Sequence, residues 1–255
     1  MEKVGTYQFM AEPFKADATG HLFMSALGNY MLNAADFQSA ERNFGYLDLR
    51  NENKAWVLSR FVIDISEMPK SYDRFHIATW VESAMRFFTH RNWAIYGNDG
   101  KLYGYGSSVW AMIDLVTRQP ADIFAIGNGI MKDYVDEAHT VPIDPPTRVR
   151  MNEKEAQLVG KIDIVYNDID VNGHVNSVRY IEHAIDILPL DWHINHFIHR
   201  LEVAYVAEAH FGDKLRFYED RQSDNEVCYR ISALHSDGKE HEACRIKLCF
   251  KEIES

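Results

Sequence analysis

The chain contains an internal repeat, and a repeat limits the possible folds more than any single segment does. Three landmarks recur in the same order, which predicts that one structural module is present in two copies. The first landmark is DATGHL at 17–22 in copy one and DVNGHV at 170–175 in copy two. The second is an Arg followed thirteen residues later by an Asp, at 60–73 and again at 200–213. The third is Asp-Gly-Lys, at 99–101 and again at 237–239.

Each copy has the same predicted order of elements: a short lead segment and a turn, then a helix, then three or four long strands. The apolar spacing predicts the helices at about 22–44 and 175–188. The Asp-Gly turns are hairpin signals between the last two strands of each copy. One helix followed by a run of antiparallel strands is an α+β order. The predicted fold is therefore two tandem hotdog modules, each an antiparallel sheet wrapped around a long central helix.

A proline-containing segment separates the two copies. Residues 136–156 include three prolines, a composition typical of linkers. We therefore expect an N-terminal module at 1–135 and a C-terminal module at 157–255. With 255 residues in total, each module is of ordinary domain size.

Composition and charge argue against several classes of function. The net charge of −11 disfavours a nucleic-acid-binding protein and direct binding to an anionic membrane. No run reaches roughly 18 consecutive apolar residues, so no membrane-spanning helix is expected. The first 14 residues lack the apolar core of a signal peptide, and three cysteines without close spacing disfavour a disulfide framework or a zinc site. We expect a cytoplasmic protein without cofactor or metal.

The segment at 166–176, YNDIDVNGHVN, resembles the D-x-D-V-N-x-H-V-N signature of plant and bacterial acyl-acyl carrier protein (ACP) thioesterases. Further segments of copy one resemble the same family in the same order. They are Trp56-Val57 with Arg60, Thr79-Trp80-Val81, Arg91 with Trp93, and Ser107 to Trp110. The resemblance covers nearly the whole chain. It implies a tandem hotdog with a substrate-binding N-terminal module and a catalytic C-terminal module.

The resemblance also implies the catalytic residues. The Asp, Asn and His of the signature fall on Asp170, Asn172 and His174. A Glu that family members carry on the next long strand falls on Glu208. Plant members have Cys directly after that Glu, whereas this chain has Ala209. A Cys/His nucleophilic mechanism is therefore excluded at that position.

Hydrolysis of a thioester needs a deprotonated water, a polarised carbonyl and a stabilised oxyanion. A carboxylate can act as general base if it is sufficiently desolvated, and Asp170 and Glu208 are the two candidates. Residues 170, 172 and 174 alternate along an expected extended segment, which would point their side chains to one side. His174 would start the helix, whose backbone N–H groups would face the oxyanion. Helix capping is the structural alternative for these residues.

Copy one lacks part of this constellation. Thr19 stands where copy two has Asn172, and Met68 stands where it has Glu208. We therefore expect one active site per chain, in copy two, and an acyl-binding role for copy one. Its candidate tunnel-lining residues are Met24, Leu27, Met31, Trp56, Phe61 and Trp80.

The residues and the resemblance together predict an enzyme that hydrolyses fatty acyl-ACP to free fatty acid and holo-ACP in fatty acid biosynthesis. ACP is acidic, so docking needs local positive charge, for which Arg148, Arg150 and Lys154 are candidates. An acyl-CoA thioesterase of the same fold and a non-hydrolytic acyl-binding module are the alternatives. A hotdog dehydratase is disfavoured because the Asp-x-Asn-x-His element suits water activation. A monomer and a homodimer are both compatible with a duplicated hotdog.

Overall fold

The computed structural model describes residues 2–253, apart from the side chain of residue 128, and it divides into two compact units. The N-terminal unit, 1–146, contains copy one, and the C-terminal unit, 147–255, contains copy two. Residues of the predicted linker fall in both units. Val149 is buried beside Ala204, and the N–H of Asn152 donates to the Asp220 carboxylate at 2.7 Å. This end of the linker is therefore held against the C-terminal sheet.

The N-terminal unit is one antiparallel sheet with a long helix packed on it. Its elements are β1 (Gly5–Met10), α1 (Met24–Ala40), α2 (Tyr46–Asn51), β2 (Lys54–Ile65), β3 (Arg74–Ala84), β4 (Phe88–Gly97) and β5 (Leu102–Asp114), with 3₁₀ segments at Pro13–Lys15 and Ile123–Tyr134. The strands pair in the order β1-β3-β4-β5-β2.

The C-terminal unit repeats this strand arrangement with a shorter helix. Its elements are β6 (Gln157–Asp163), α3 (Ser177–Ile185), α4 (Leu190–Asn195), β7 (His196–Tyr205), β8 (Lys214–Ser223), β9 (Glu226–Leu234) and β10 (Glu240–Glu252), with a 3₁₀ segment at Tyr166–Asp168. The antiparallel order is β6-β8-β9-β10-β7. Because corresponding strands occupy corresponding places, the predicted duplication and the α+β class are confirmed.

Several elements differ from the sequence-based expectation in extent. The sequence predicts only lead segments before the helices, whereas β1 and β6 lie there. Helix α1 falls inside the predicted range and stops before Asn43, whose φ of 61° is a left-handed conformation that ends helices. Helix α3 has nine residues, Ser177–Ile185, and is shorter than the predicted helix at 175–188. Pro189 disfavours helical geometry at Leu188, the last residue of that predicted range. Within the described residues, no helix combines the length and apolar character that a membrane crossing needs.

Helix α1 packs closely on its sheet because Gly106 on β5 leaves room for it. A Cβ at Gly106 would lie 2.1 Å from Cε of Met31. The indole N–H of Trp93 on β4 donates to the Met31 carbonyl at 2.8 Å. Both Met31 and Trp93 are fully buried, so this contact lies in the core of the N-terminal unit.

A buried arginine also joins α1 to the sheet. Arg91 on β4 donates to Gln38 Oε1 at 2.6 Å and to Ser39 Oγ at 3.2 Å, both on α1. It also donates to Thr79 Oγ1 on β3 at 3.1 Å. Burial lowers the pKa of Arg91 to about 9, because the charged form loses its hydration. Three side-chain acceptors therefore replace water around this cation.

The residues expected to line an acyl tunnel lie on both faces of the N-terminal sheet. Phe61 contacts the ring of Trp93 beneath α1, with ring centroids 5.6 Å apart. Trp80 instead stacks on His139 at 3.8 Å and donates its indole N–H to the His139 carbonyl at 2.7 Å. Thr79 beside it joins the arginine cluster under α1, and neighbouring strand residues point to opposite faces. Trp80 therefore faces away from α1 and from the other candidates on the helix side.

Candidate active site

The DVNGHV segment of copy two forms a tight turn in front of α3. The N–H of Asp170 donates to the His174 carbonyl at 2.9 Å, and the N–H of Gly173 donates to the Asp170 carbonyl at 3.0 Å. Gly173 has a φ of 82°, a left-handed conformation that glycine adopts readily. The expected extended segment is therefore wrong, because Val171 and Asn172 lie in a turn.

The carboxylate of Asp170 holds this turn together. Its Oδ1 accepts the N–H of Asn172 at 2.8 Å and the N–H of His174 at 3.2 Å. Its Oδ2 lies 3.5 Å from the side-chain nitrogen of Asn172. In copy one, Oδ1 of Asp17 accepts the two corresponding N–H groups at 2.8 and 3.2 Å. The Asp thus makes the same bonds in a copy that lacks the Asn and the Glu.

Glu208 reaches His174 from the loop after β7. Because β7 ends at Tyr205, the expectation that Glu208 lies on the strand is wrong. The loop is fixed to the turn, since the N–H of Val175 donates to the Ala209 carbonyl at 2.8 Å. Nε2 of His174 lies 3.3 Å from Oε2 of Glu208, and the two side chains are 26% and 37% exposed. His174 and Glu208 therefore form an acid–imidazole pair that is accessible to solvent.

In copy one the same backbone carries a methionine. The N–H of Leu22 donates to the Pro69 carbonyl at 2.8 Å, the bond that corresponds to the one in copy two. Met68 is buried at the position of the acid. His21 contacts Thr19 Oγ1 through Nδ1 at 2.8 Å instead. The two copies therefore share a main-chain frame and differ in the polar side chains that it carries.

The start of α3 lies beyond the predicted site residues. Helix α3 begins at Ser177, three residues after His174, so His174 does not start the helix. Asn176 is the capping residue, and its Oδ1 accepts the N–H of Val178 at 2.9 Å. The capping alternative therefore does not apply to the turn residues. One of the first helical N–H groups is already bound by this cap, and Asn172 is exposed on the turn.

Sequence reasoning misses a buried carboxylate beneath the turn. Asp168 accepts the N–H of Val165 at 2.8 Å, Nε of Arg179 at 2.9 Å and Nε2 of His183 at 3.0 Å. Burial by itself raises the pKa of Asp168, but these three hydrogen bonds outweigh it, so the pKa lies below its usual value. Its place in the YNDIDVN segment, followed by Arg and His four residues apart, is the signal that could have indicated it.

A second polar cluster, which we name the histidine chain, also escapes sequence reasoning. It runs from Asp213 through His235 and His241 to the backbone carbonyl of Glu208. Asp213 is a landmark of the repeat, and the two histidines flank the Asp-Gly-Lys turn of copy two. That flanking is a weak signal, because the pairing of these residues depends on strand register.

Three side chains of the site could hold a divalent metal ion. One ligand atom each from His174, Glu208 and His210 lies within 4.8 Å of the others. The rings of His174 and His210 are 5.0 Å apart. Zinc bonds of about 2.0–2.2 Å in a tetrahedron place ligands about 3.4 Å apart, which the 3.3 Å spacing of His174 and Glu208 matches. Imidazole and carboxylate are also donors that zinc accepts.

The three cysteines lie on strands β9 and β10 and are free thiols. Burial raises the pKa of Cys228 to about 12 and that of Cys249 to about 11. Burial also raises the pKa of Cys244 well above its usual value. Because the thiolate is the nucleophile, thiols of this kind are unreactive near neutral pH.

Models of one protein family match both units. The model of the acyl-ACP thioesterase N-terminal domain matches residues 3–126, and that of the C-terminal domain matches residues 151–251. The crystal structure of an acyl-ACP thioesterase from Bacteroides thetaiotaomicron is 44% identical, with a TM-score of 0.89 over 98% of each chain. The 12:0-ACP thioesterase from Umbellularia californica shares the fold, with a TM-score of 0.85 at 17% identity over 99% of each chain.

Curated plant proteins show the same relationship over shorter stretches. The chloroplastic palmitoyl-ACP thioesterase of Cuphea hookeriana is 30% identical over 137 residues, which are 52% of this chain and 33% of that protein. The chloroplastic oleoyl-ACP thioesterase 2 of Arabidopsis thaliana is 24% identical over 214 residues, 76% of this chain and 56% of that protein. The chain thus matches between a third and just over half of the length of these relatives. Because the two family models together span most of both units, the chain belongs to the acyl-ACP thioesterase family.

Proposed function

We propose that the protein hydrolyses the thioester of a fatty acyl-ACP and releases a free fatty acid and holo-ACP in fatty acid biosynthesis. Membership of the acyl-ACP thioesterase family supports the reaction and the substrate class. The observation that carries the proposal is the 3.3 Å contact between His174 and Glu208. In copy one a buried Met68 occupies the place of the acid, which supports a single active site in copy two.

Glu208 is the general base in the proposed mechanism. Its carboxylate accepts a proton from a water molecule, whose oxygen attacks the acyl carbonyl carbon. The C–S bond then breaks, and the departing thiolate takes the proton from Glu208. His174 keeps the carboxylate in place. Asp170, which already accepts two backbone N–H groups, holds the turn, so between the two candidate acids we assign the base to Glu208.

Asn172 and His174 are the proposed partners of the water and of the oxyanion. The side chain of Asn172 is exposed on the turn, and an amide can both donate to a carbonyl oxygen and accept from water. Loss of one oxyanion donor typically costs about 2.7–4 kcal/mol of transition-state stabilisation. Because Asn176 already caps α3, we assign this role to side chains rather than to the helix N-terminus.

The remaining parts of the proposal concern partners and location. Arg148, Arg150 and Lys154 are exposed in the segment before β6 and could meet the acidic surface of ACP. The N-terminal unit would bind the acyl chain. A cytoplasmic location and a homodimer remain predictions from sequence, and the plant relatives are named as chloroplastic proteins.

A comparison of acyl-ACP and acyl-CoA of equal chain length tests the substrate assignment. We expect thiol release from acyl-ACP at the higher kcat/KM. Turnover of the CoA ester about tenfold faster, a difference of roughly 1.4 kcal/mol, would favour an acyl-CoA thioesterase of the same fold. Binding of both acyl donors without release of thiol from either would favour a non-hydrolytic acyl-binding module.

A further inference from the structure

The histidine chain ties both sides of the Glu208 loop to one buried carboxylate. Oδ1 of Asp213 lies 2.7 Å from Nδ1 of His235, Nε2 of His235 lies 3.1 Å from Nδ1 of His241, and Nε2 of His241 lies 2.9 Å from the Glu208 carbonyl oxygen. Asp213 is buried, and its Oδ2 accepts the backbone N–H of His210 at 3.0 Å. The Asp213 carboxylate therefore binds the N–H of His210 directly and the carbonyl of Glu208 through the two histidines.

The two ends of the histidine chain fix the direction of its outer hydrogen bonds. A carbonyl oxygen and a carboxylate oxygen accept hydrogen bonds and donate none. Nδ1 of His235 therefore donates to the Asp213 carboxylate, and Nε2 of His241 donates to the carbonyl oxygen of Glu208.

Copy one has the same hairpin without the histidine chain. In copy one the N–H of Gly97 donates to the Lys101 carbonyl across the hairpin turn at 2.8 Å. In copy two the N–H of His235 donates to the Lys239 carbonyl in the same way, also at 2.8 Å. Tyr103 is the counterpart of His241, two residues beyond the Asp-Gly-Lys turn. A module with this strand order therefore forms without the two histidines. They occur in the copy that also has Glu208.

We infer that Asp213, His235 and His241 are positioning residues that hold the Glu208 loop within reach of His174. The inference rests on the proposed role of Glu208 as the base. The histidine chain binds the main chain at position 208, whereas the Glu208 carboxylate contacts His174 on the turn. Ionisable groups near the histidine chain include Asp237 and Lys239 in the hairpin, Tyr180 on α3, and His210 in the loop.

Side-chain ¹⁵N NMR of histidine-labelled wild-type protein shows which ring nitrogens carry these protons. We expect a proton on Nδ1 of His235 and on Nε2 of His241, because those two nitrogens face oxygen acceptors. The signals are assigned by their loss in His235→Gln and His241→Gln. A His241 that lacks a proton on Nε2 overturns the inference, because that ring could not donate to the Glu208 carbonyl. Because no substrate is needed, the result is independent of the proposed function.

Kinetics test the positioning role itself. His241→Ala should lower kcat by roughly 10- to 100-fold and leave KM within about twofold, because a displaced base affects the chemical step. His241→Gln, whose amide can still donate to the Glu208 carbonyl, should recover at least about threefold of that loss. The matched copy-one variant Tyr103→Ala should keep the wild-type kcat. An unchanged kcat in His241→Ala, or equal losses in the Ala and Gln variants, overturns the inference. A wild-type protein that releases no thiol defeats the proposed function instead.

Discussion

At the scale of single residues, position 208 distinguishes the two copies. Its carboxylate lies 3.3 Å from His174, whereas the corresponding Met68 is buried. Both copies keep the Asp whose oxygen accepts two N–H groups of the turn. The Asp therefore forms the turn common to both modules, and copy two adds the acid at position 208 together with the amide of Asn172.

Substitutions of Asp170 separate a turn-holding role from a role as base. In Asp170→Asn the amide oxygen can still accept the N–H groups of Asn172 and His174. We expect kcat within about tenfold of wild type, less than the ~10²- to 10⁴-fold that a general base contributes. Asp170→Ala removes the acceptor and should lower both kcat and the melting temperature. The assignment is wrong if Asp170→Asn melts like wild type and yet loses as much kcat as Asp170→Ala.

The two turn histidines form a matched pair of variants. His174→Ala should lower kcat by at least ~10²-fold, because it removes the partner of Glu208 and a donor near the reacting carbonyl. His21→Ala changes the corresponding residue of copy one, which lacks the acid, and should leave kcat near the wild-type value. Steady-state thiol release on one acyl-ACP measures both. Equal losses in the two variants would argue against a single active site in copy two.

The cysteines should be dispensable and slow to react. Burial raises the pKa of Cys228 to about 12 and that of Cys249 to about 11, so at pH 8 the thiolate fractions are about 10⁻⁴ and 10⁻³. Iodoacetamide at pH 8 should therefore leave fatty acid release unchanged, with little labelling by mass spectrometry. Labelling in urea provides the control in which all three thiols react. Inactivation that tracks modification of one cysteine would refute this expectation.

At the scale of elements, hydrogen bonds to Asn176 and Asp168 fix α3 and the turn before it. Asn176 caps the helix, and Asp168 joins the 3₁₀ segment to Arg179 and His183 on α3. The carboxylate of Asp168 is fully buried. The position of His174 therefore depends on the ion pair of Asp168 with Arg179. Neither of those two residues has a role in the proposed reaction.

Asp168→Asn should destabilise the C-terminal unit in a pH-dependent way. Hydrogen bonds to charged groups contribute roughly 1.5–3 kcal/mol, so we expect a loss of about 2 kcal/mol at neutral pH. Because folding lowers the pKa of Asp168 below its usual 3.8, this contribution is present above that pH and is lost as the pH falls through the folded-state pKa. Urea unfolding from pH 7 down to pH 3 should show the difference between variant and wild type shrinking.

Asp163→Asn is the matched control for that experiment. Asp163 pairs with Lys214 at 2.9 Å, and its side chain is 74% exposed. Exposed ion pairs contribute about 0–1 kcal/mol, so this variant should unfold like wild type. A loss at Asp163 as large as that at Asp168 would contradict the buried-anchor interpretation.

The repeat was sufficient to predict the fold because its landmarks are turn residues that the main chain requires. Asp73 and Asp213, which end the thirteen-residue spacing, each accept the N–H of the residue three positions earlier, at 2.9 and 3.0 Å. Gly20 and Gly173 both have positive φ, 80° and 82°. Such local requirements are visible in a sequence.

The parts that the sequence did not predict depend on distant pairings. Alternation of Asp170, Asn172 and His174 fits a strand as well as it fits a turn, and the backbone bonds decide between them. The histidine chain joins Asp213 to His235 and His241 to Glu208, and those partners are 22 and 33 residues apart. Only the register of β8, β9 and β10 brings them together.

At the scale of the whole molecule, the duplication provides two units with one strand order and different polar side chains. The C-terminal unit has Glu208 and the histidine chain, and the N-terminal unit has Met68, Gly97 and Tyr103 at the corresponding positions. The proposed division of labour follows, with chemistry in one unit and acyl binding in the other. The net charge of −11 makes the exposed cations before β6 the proposed site of attraction for an acidic carrier protein.

The most direct test of the proposed function is thiol release from a panel of acyl-ACPs, C8 to C18, by wild type and Glu208→Gln. We predict hydrolysis by wild type and a fall in kcat of at least ~10²-fold in the variant, since the amide cannot accept the proton of water. Met68→Gln, the corresponding change in copy one, should leave kcat unchanged. Release of thiol at the wild-type rate by Glu208→Gln, or no release from any acyl-ACP by wild type, would contradict the proposal.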